Sequence, residues 1–185
     1  MRFAQLTKPS CDDSHLTPER LGQLQKLYPH TFAEYKARIF IQMSCRWIGT
    51  DMEPFTIPML AMLYQEDSTL SAERRHDCKG KTCLAVGIQG HHICHRGALR
   101  GTTNEGKRYC YWKAGKSPMQ QFEADYPEFS HDLWVQFDYY TEILRGYFFE
   151  EHLTVNQAIQ RWNPKERNRR NRVRQWEKLV ELSIR

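Results

Sequence analysis

No apolar run in this chain approaches the roughly 18 residues needed to cross a bilayer, so a transmembrane segment is not expected. The opening stretch, Met1-Arg2-Phe3-Ala4-Gln5-Leu6-Thr7-Lys8-Pro9-Ser10, lacks the apolar core of a secretory signal peptide. No C-x2-C occurs anywhere, which argues against paired zinc knuckles. Internal repeats, low-complexity tracts and coiled-coil heptads are also missing. These absences point away from membrane proteins, solenoids and simple zinc ribbons.

What remains is enough for one globular domain. At 185 residues the chain can bury a core without metals or disulfides, and a single domain over residues 17–185, preceded by an extension over 1–16, is expected. The net charge is +5. Much of the basic excess falls in Lys165-Glu166-Arg167-Asn168-Arg169-Arg170-Asn171-Arg172-Val173-Arg174, which reads either as a site for an anionic partner or as the solvated face of a last helix. Of the six cysteines, Cys78, Cys83, Cys94 and Cys110 sit near His76, His91, His92 and His95. Their spacing fits structural zinc poorly. Cys78 with Cys83 reads instead as a loop staple or as free thiols, and no metal or cofactor is assigned.

Helical punctuation is clear on both sides of an irregular middle. Thr17-Pro18-Glu19 caps a helix bearing Leu21, Leu24, Leu27 and Tyr28. Thr31-Phe32-Ala33-Glu34 has the form of a capping box ahead of Tyr35, Ile39, Met43 and Trp47, and Gly49 stops that pattern. Thr56 is expected to cap a third helix, with Pro58 in its first turn. Residues 67–118 are rich in Gly, Cys, Lys, Thr and His, with β-like pieces at 83–86 and 109–112. A segment of this length and irregularity in a compact domain is usually functional. Later, Ser130 is expected to cap a long helix carrying Leu133, Trp134, Phe137, Tyr140, Leu144, Tyr147 and Phe148. Thr154-Val155-Asn156-Gln157 is another capping box, and Val173, Trp176, Leu179 and Val180 mark a closing helix. The fold class expected is mainly α, a helical domain of six or so helices with a small β-hairpin and loop-rich insert lining a cleft.

Glu66 stands out because it ends the apolar stretch Ile57-Pro58-Met59-Leu60-Ala61-Met62-Leu63-Tyr64-Gln65. On a helix it shares a face with Met59, Met62 and Leu63, and an apolar site raises a carboxyl pKa toward the range a general acid needs. The bland alternative is a helix-end glutamate turned back into water. Three pieces then follow in order: Gln65-Glu66-Asp67-Ser68, Ala85-Val86-Gly87-Ile88-Gln89, and Ala158-Ile159-Gln160-Arg161-Trp162-Asn163.

That order, over roughly residues 55–182, resembles the lytic transglycosylases, a family of the lysozyme-like superfamily that also holds the goose-type lysozymes. There a catalytic Glu followed by Ser ends a helix, a Gly-Leu-Met-Gln motif follows on a β-like loop, and an Ala-Tyr-Asn motif precedes a closing helix with a Tyr-Val pair. Here Gly87-Ile88-Gln89 matches the second motif less one residue, Trp162-Asn163 the third with Trp for Tyr, and Arg172-Val173 the closing pair. The chain departs from the family at Asp67, which separates Glu66 from Ser68, and at Cys78-Lys79-Gly80-Lys81-Thr82-Cys83, which looks inserted. Residues 91–118 are also longer and more basic than in the simplest members, so a divergent member with an α+β lysozyme-like fold is implied.

The resemblance implies a cell-wall enzyme cleaving the β-1,4 bond from N-acetylmuramic acid to N-acetylglucosamine. Glu66 would protonate the leaving oxygen and then deprotonate the muramoyl C6 hydroxyl, giving a 1,6-anhydro end. Ser68, Gly87, Gln89, His91, Tyr140, Trp162 and Asn163 are the implied substrate-binding positions, and peptidoglycan glycan strands are the implied partner of a monomeric protein. Absence of a signal peptide suggests a phage endolysin, a virion-associated lysin, or export by a specialised route. Hydrolysis is the close competitor, since goose-type lysozymes use further aspartates to position water; Asp67 and Asp77 are the candidates, although Asp77, in the charged loop Arg74-Arg75-His76-Asp77, reads first as a surface ion-pair partner. From another class, zinc at the Cys/His middle plus the Arg-rich segment would suit a nucleic-acid-binding module, and the Tyr109, Tyr111 and Trp112 rings beside Lys107, Arg108 and Lys113 suit single strands as well as sugars. An inactive lysozyme-like scaffold is the third reading.

Overall fold

The computed structural model describes residues 11–76, 78, 83–93, 117–164, 166 and 168–185, with the His92 side chain excepted. Asp77, Cys94, His95, Lys107, Arg108, Tyr109, Cys110, Tyr111, Trp112, Lys113, Lys165 and Arg167, and with them the expected strand at 109–112, lie outside the described residues. The described residues form helices α1 (Pro18–Leu27), α2 (Glu34–Trp47), α3 (Thr56–Glu66), α4 (Pro118–Asp125), α5 (Pro127–His131), α6 (Leu133–Arg145), α7 (Val155–Trp162) and α8 (Arg169–Ile184). A 3-10 turn (Glu53–Phe55) precedes α3, and a π-helical turn (Gly146–Glu150) follows α6. Three short strands, β1 (Arg75–His76), β2 (Ala85–Val86) and β3 (His91–His92), make an antiparallel sheet in the order β1-β2-β3. The protein is mainly helical with a small sheet, as its sequence predicts.

The chain forms two compact units, one of Met1–Ser68 with Leu144–Arg185 and the other of Thr69–Ile143. In the first, the apolar run of α3 is buried almost whole, from Met59 through Tyr64, which explains why its sequence shows no polar face. α3 packs on α8 and α2. α8 supplies Val173, Leu179, Val180 and Ile184 to this core, and α2 supplies Ala37, Phe40, Ile41 and Trp47. The described part of the N-terminal extension docks on the same unit: Leu16 is buried, His15 Nε2 lies 2.7 Å from the Ser183 carbonyl oxygen, and Asp13 pairs with Arg38.

Two of the expected caps form. Thr17 accepts from the Arg20 amide at 3.3 Å, and Thr154 with Gln157 makes a full capping box. Others are replaced. α2 begins at Glu34 with Ala33 as its N-cap, and Thr31 instead offers its carbonyl to Lys36 Nζ and, at 3.1 Å, to the Tyr64 hydroxyl. Thr56 is already helical; its hydroxyl donates back to the Glu53 carbonyl at 2.8 Å, continuing the 3-10 turn. Ser130 lies buried inside α5, and Asp132 caps α6 by accepting from the Trp134 and Val135 amides at 2.7 and 3.2 Å. The long helix expected from Ser130 thus begins at Leu133, and the two shorter helices before it, α4 and α5, each open on a proline.

The second unit gathers Val86, Ile93, Met119, Phe122 and Phe129 into a core that binds the sheet to α4 and α5. Its disulfide joins Cys78 to Cys83, the staple reading of that pair.

Candidate functional site

Glu66 is the last residue of α3, and its side chain is about one-fifth exposed, at 21%. The expectation of an apolar surround is corrected here: Glu66 Oε1 forms an ion pair with Nη2 of Arg169, the first residue of α8, whose side chain is only 2% exposed. An apolar run leading up to a glutamate says nothing about a cation arriving from a distant segment. Arg169 Nη1 meanwhile holds Glu166 Oε2 at 2.7 Å, and Arg172 Nη1 holds Glu166 Oε1 at 2.7 Å. Burial first, and the like charge of Arg172 second, push the Arg169 guanidinium down to about 10, which leaves it protonated at neutral pH. Arg170 is engaged as well, with Glu177 and, at 2.8 Å, with Asn156. Of the segment's described arginines, Arg169, Arg170 and Arg172 each meet a carboxylate, while Arg172 and Arg174 lie on the exposed face of α8.

Beside Glu66, Ser68 is exposed in the turn after α3, whereas Asp67 is buried. Asp67 acts electrostatically on Lys36 and Tyr64. Lys36 Nζ donates to the Tyr64 hydroxyl at 3.2 Å. Burial pushes the Lys36 ammonium below the ordinary lysine range, with Asp67 opposing that shift. Burial also pushes the Tyr64 hydroxyl up to about 12, against the hydrogen bond to Thr31 and with help from the charges of Tyr35, Asp67 and Tyr28. On the far side of Glu66, Gln65 Oε1 accepts from Trp176 Nε1 at 2.9 Å, a second tie from α3 to α8. Trp162 ends α7, and Asn163 is its C-cap, with its carbonyl accepting from the Glu166 amide at 3.2 Å. In the first unit, then, Asn163 leads through Glu166 to Arg169 and so to Glu66.

The second unit builds the glutamine motif. Gly87 has φ +82°, and the tight turn from Gly87 to Gly90 is closed by a 3.0 Å bond from the Gly90 amide to the Gly87 carbonyl. A Cβ at Gly87 would lie 2.2 Å from Gln136 Oε1, so this position needs glycine twice over. Gln136, fully buried on α6, clamps the turn: its Oε1 accepts from the Ile88 amide at 3.0 Å, and its Nε2 donates to the Ala72 and Phe129 carbonyls at 3.0 and 2.6 Å. His76 Nε2 stands 3.0 Å from the Gly87 carbonyl oxygen. The turn carries Gln89, which is 4% exposed and whose Oε1 and Nε2 have no hydrogen-bond partner among the described residues. Leaving a buried amide unmatched costs about 1–3 kcal/mol, so the Gln89 amide calls for a polar partner.

His91 and Tyr140 fall elsewhere than a simple cleft wall. The His91 ring packs edge-on against Phe129 at 5.0 Å and Tyr139 at 5.4 Å, within the aromatic core of the unit. Tyr140 is fully buried, its ring 6.3 Å from Phe137, because the inward face of α6 falls on Gln136, Phe137 and Tyr140. Tyr139, its neighbour, instead lines an open cavity of about 580 Å³ with Tyr126, Phe129 and Val135, rimmed by Asp125 and Glu128.

No protein-family model matches the chain, and neither a curated protein nor a solved structure does. The site therefore stands on its own chemistry. Sequence reasoning missed Arg169 and Gln136. The only signal for the first was physical, since a glutamate against an apolar core calls for a counter-charge; nothing in the spacing named it. Among the described residues no group of three His, Cys, Asp or Glu side chains could hold a metal ion, and the disulfide removes Cys78 and Cys83 as thiolate ligands.

Proposed function

We propose that this protein is a peptidoglycan-degrading glycosidase that cleaves the β-1,4 bond between N-acetylmuramic acid and N-acetylglucosamine as a lytic transglycosylase. The observation that carries the reading is the buried amide of Gln89, which meets no hydrogen-bond partner among the described residues. An N-acetyl group offers one N–H and one carbonyl, the complement of a side-chain amide, and every sugar of the glycan strand bears one. The ordered motifs that hold Glu66, Gln89 and Asn163 add the family resemblance.

Glu66 is the acid and then the base. Its proton goes to the glycosidic oxygen as the bond from C1 breaks, and the N-acetylglucosamine O4 leaves as a hydroxyl. The muramoyl C6 oxygen then attacks C1 and surrenders its proton to the carboxylate, restoring Glu66. No water is consumed and no second carboxylate is needed. Hydrolysis would require a further acid to place water, and the described candidate, Asp67, is buried with Lys36 and Tyr64 in its field, which favours the transglycosylase reading. Action on the cell wall is the setting this substrate implies. Among the described residues no helix is long and apolar enough to cross a membrane.

The test is digestion of purified peptidoglycan with the wild type and with Glu66→Gln, with the released muropeptides weighed by mass spectrometry. Products one water lighter than reducing muropeptides, absent with Glu66→Gln, are expected. Reducing ends would reassign the protein as a muramidase. No release from the wild type would sink the reading and turn attention to nucleic-acid binding.

A further inference from the structure

We propose that Arg169 is the positioning residue for Glu66, anchoring the carboxylate and setting the pH range in which it can carry a proton, while Glu166 keeps the guanidinium in place as Glu66 changes charge. The inference rests on the reading of Glu66 as the reacting acid. A guanidinium this deeply buried is costly unless paired, and Arg169 is paired at both terminal nitrogens, through Nη2 with Glu66 and through Nη1 with Glu166. With Arg172 on the other oxygen of Glu166, two arginines face two carboxylates and the group is formally neutral.

That arrangement suits a residue that must be acid and then base. When Glu66 is protonated, Arg169 loses one partner and keeps the other, so neither its charge nor its place is stranded. An opposite charge at ion-pair distance favours the ionised form of a carboxyl, and the Arg169 guanidinium stands at that distance from Glu66 Oε1.

Other described charges near α3 have partners of their own. Asp67, next in the chain, faces Lys36 of α2 and the Tyr64 hydroxyl. The 3-10 turn contributes Glu53, which accepts from the Gly49 amide at 2.6 Å. From α8, beyond Arg169 and Arg172, Glu177 is taken by Arg170.

The experiment is a pH titration of carboxyl-labelled glutamate by NMR on the full chain, with Glu66 assigned by the signal lost in Glu66→Gln. In Arg169→Met the Glu66 midpoint is expected at least about one pH unit above the wild type, with Arg169→Lys between them. Glu166→Gln, which removes a negative neighbour, is expected to move it the opposite way, and it carries the test if Arg169→Met does not fold. On peptidoglycan, the alkaline limb of kcat/KM should rise with the NMR midpoint, a change that a purely structural role would not produce. A Glu66 midpoint that stays fixed in the folded Arg169→Lys and Glu166→Gln proteins overturns the proposal. Shifted midpoints with no muropeptide release from the wild type would sustain the charge pairing and overturn the glycosidase reading instead.

Discussion

The Gln136 side chain accepts the Ile88 amide hydrogen at 3.0 Å while its own amide group bridges two carbonyls, Ala72 and Phe129, so one buried residue fixes three backbone segments. Gln136→Leu keeps the bulk but strips the Ile88 amide and the Phe129 carbonyl of this partner, and leaves the Ala72 carbonyl only a long 3.5 Å contact from Arg75 Nη1. A loss of about 3 kcal/mol or more in chemical denaturation is expected. A loss below about 1 kcal/mol would mean that water replaces the side chain and that the turn is not held in this way.

Gly87→Ala tests the same turn from the other side. The added Cβ would meet the Gln136 side chain and force a left-handed backbone on a residue that resists it, for a cost of about 2 kcal/mol or more. Pairing it with Gln136→Ala should recover part of that loss, because the clash disappears and only the backbone strain remains. Strict additivity in the double-mutant cycle would show that the two residues do not press on one another.

Alkaline stability should report Tyr64. Its hydroxyl ionises near 10 in the unfolded chain and near 12 in the folded one, so the neutral form is favoured by folding. The stabilisation is complete below pH 10 and is lost as the pH climbs through 12. Two pKa units correspond to roughly 3 kcal/mol. Tyr64→Phe should therefore flatten the fall in stability between these pH values relative to the wild type, as read by urea midpoints. Equal slopes for the two proteins would show that Tyr64 ionises as freely in the fold as outside it.

The thiols should separate by reactivity. Cys11 is exposed, whereas Cys45 is pushed up to about 12, by burial first and then by the neighbouring Cys11. At pH 8, alkylation followed by mass spectrometry should label Cys11 well before Cys45, since the thiolate is the reactive form. Cys78 and Cys83 should resist labelling until a reductant opens their bond. Closing so small a loop is worth about 2 kcal/mol on the loop-entropy estimate, which bounds the stability change on reduction.

Local signals were legible where the chemistry is local. The caps at Thr17 and Thr154 and the end of α3 at Glu66 are all written within a few residues of sequence. Other features depend on partners far along the chain. Thr31 does not cap α2 because the helix starts only at Glu34, after a turn in which the Thr31 carbonyl meets Lys36 and Tyr64, and Ser130 does not open the long helix, which Asp132 caps two residues later. The same limit applies to the site. An apolar stretch predicts burial of α3 correctly, yet it is silent about the guanidinium at its end, since ion pairing across a fold has no period to read. Tyr140 shows the converse: an aromatic residue in the right region of a motif map can still fall on the inward face of its helix.

The pairing of Glu66 with Arg169 also imposes an order on synthesis. The glutamate leaves the ribosome well before its cation, which arrives only with the start of the final helix. Until α8 docks, the run from Met59 to Tyr64 has lost its main cover and the carboxylate has no counter-charge. A nascent or truncated chain without α8 therefore leaves an apolar helix uncovered and a carboxylate unpaired at its end.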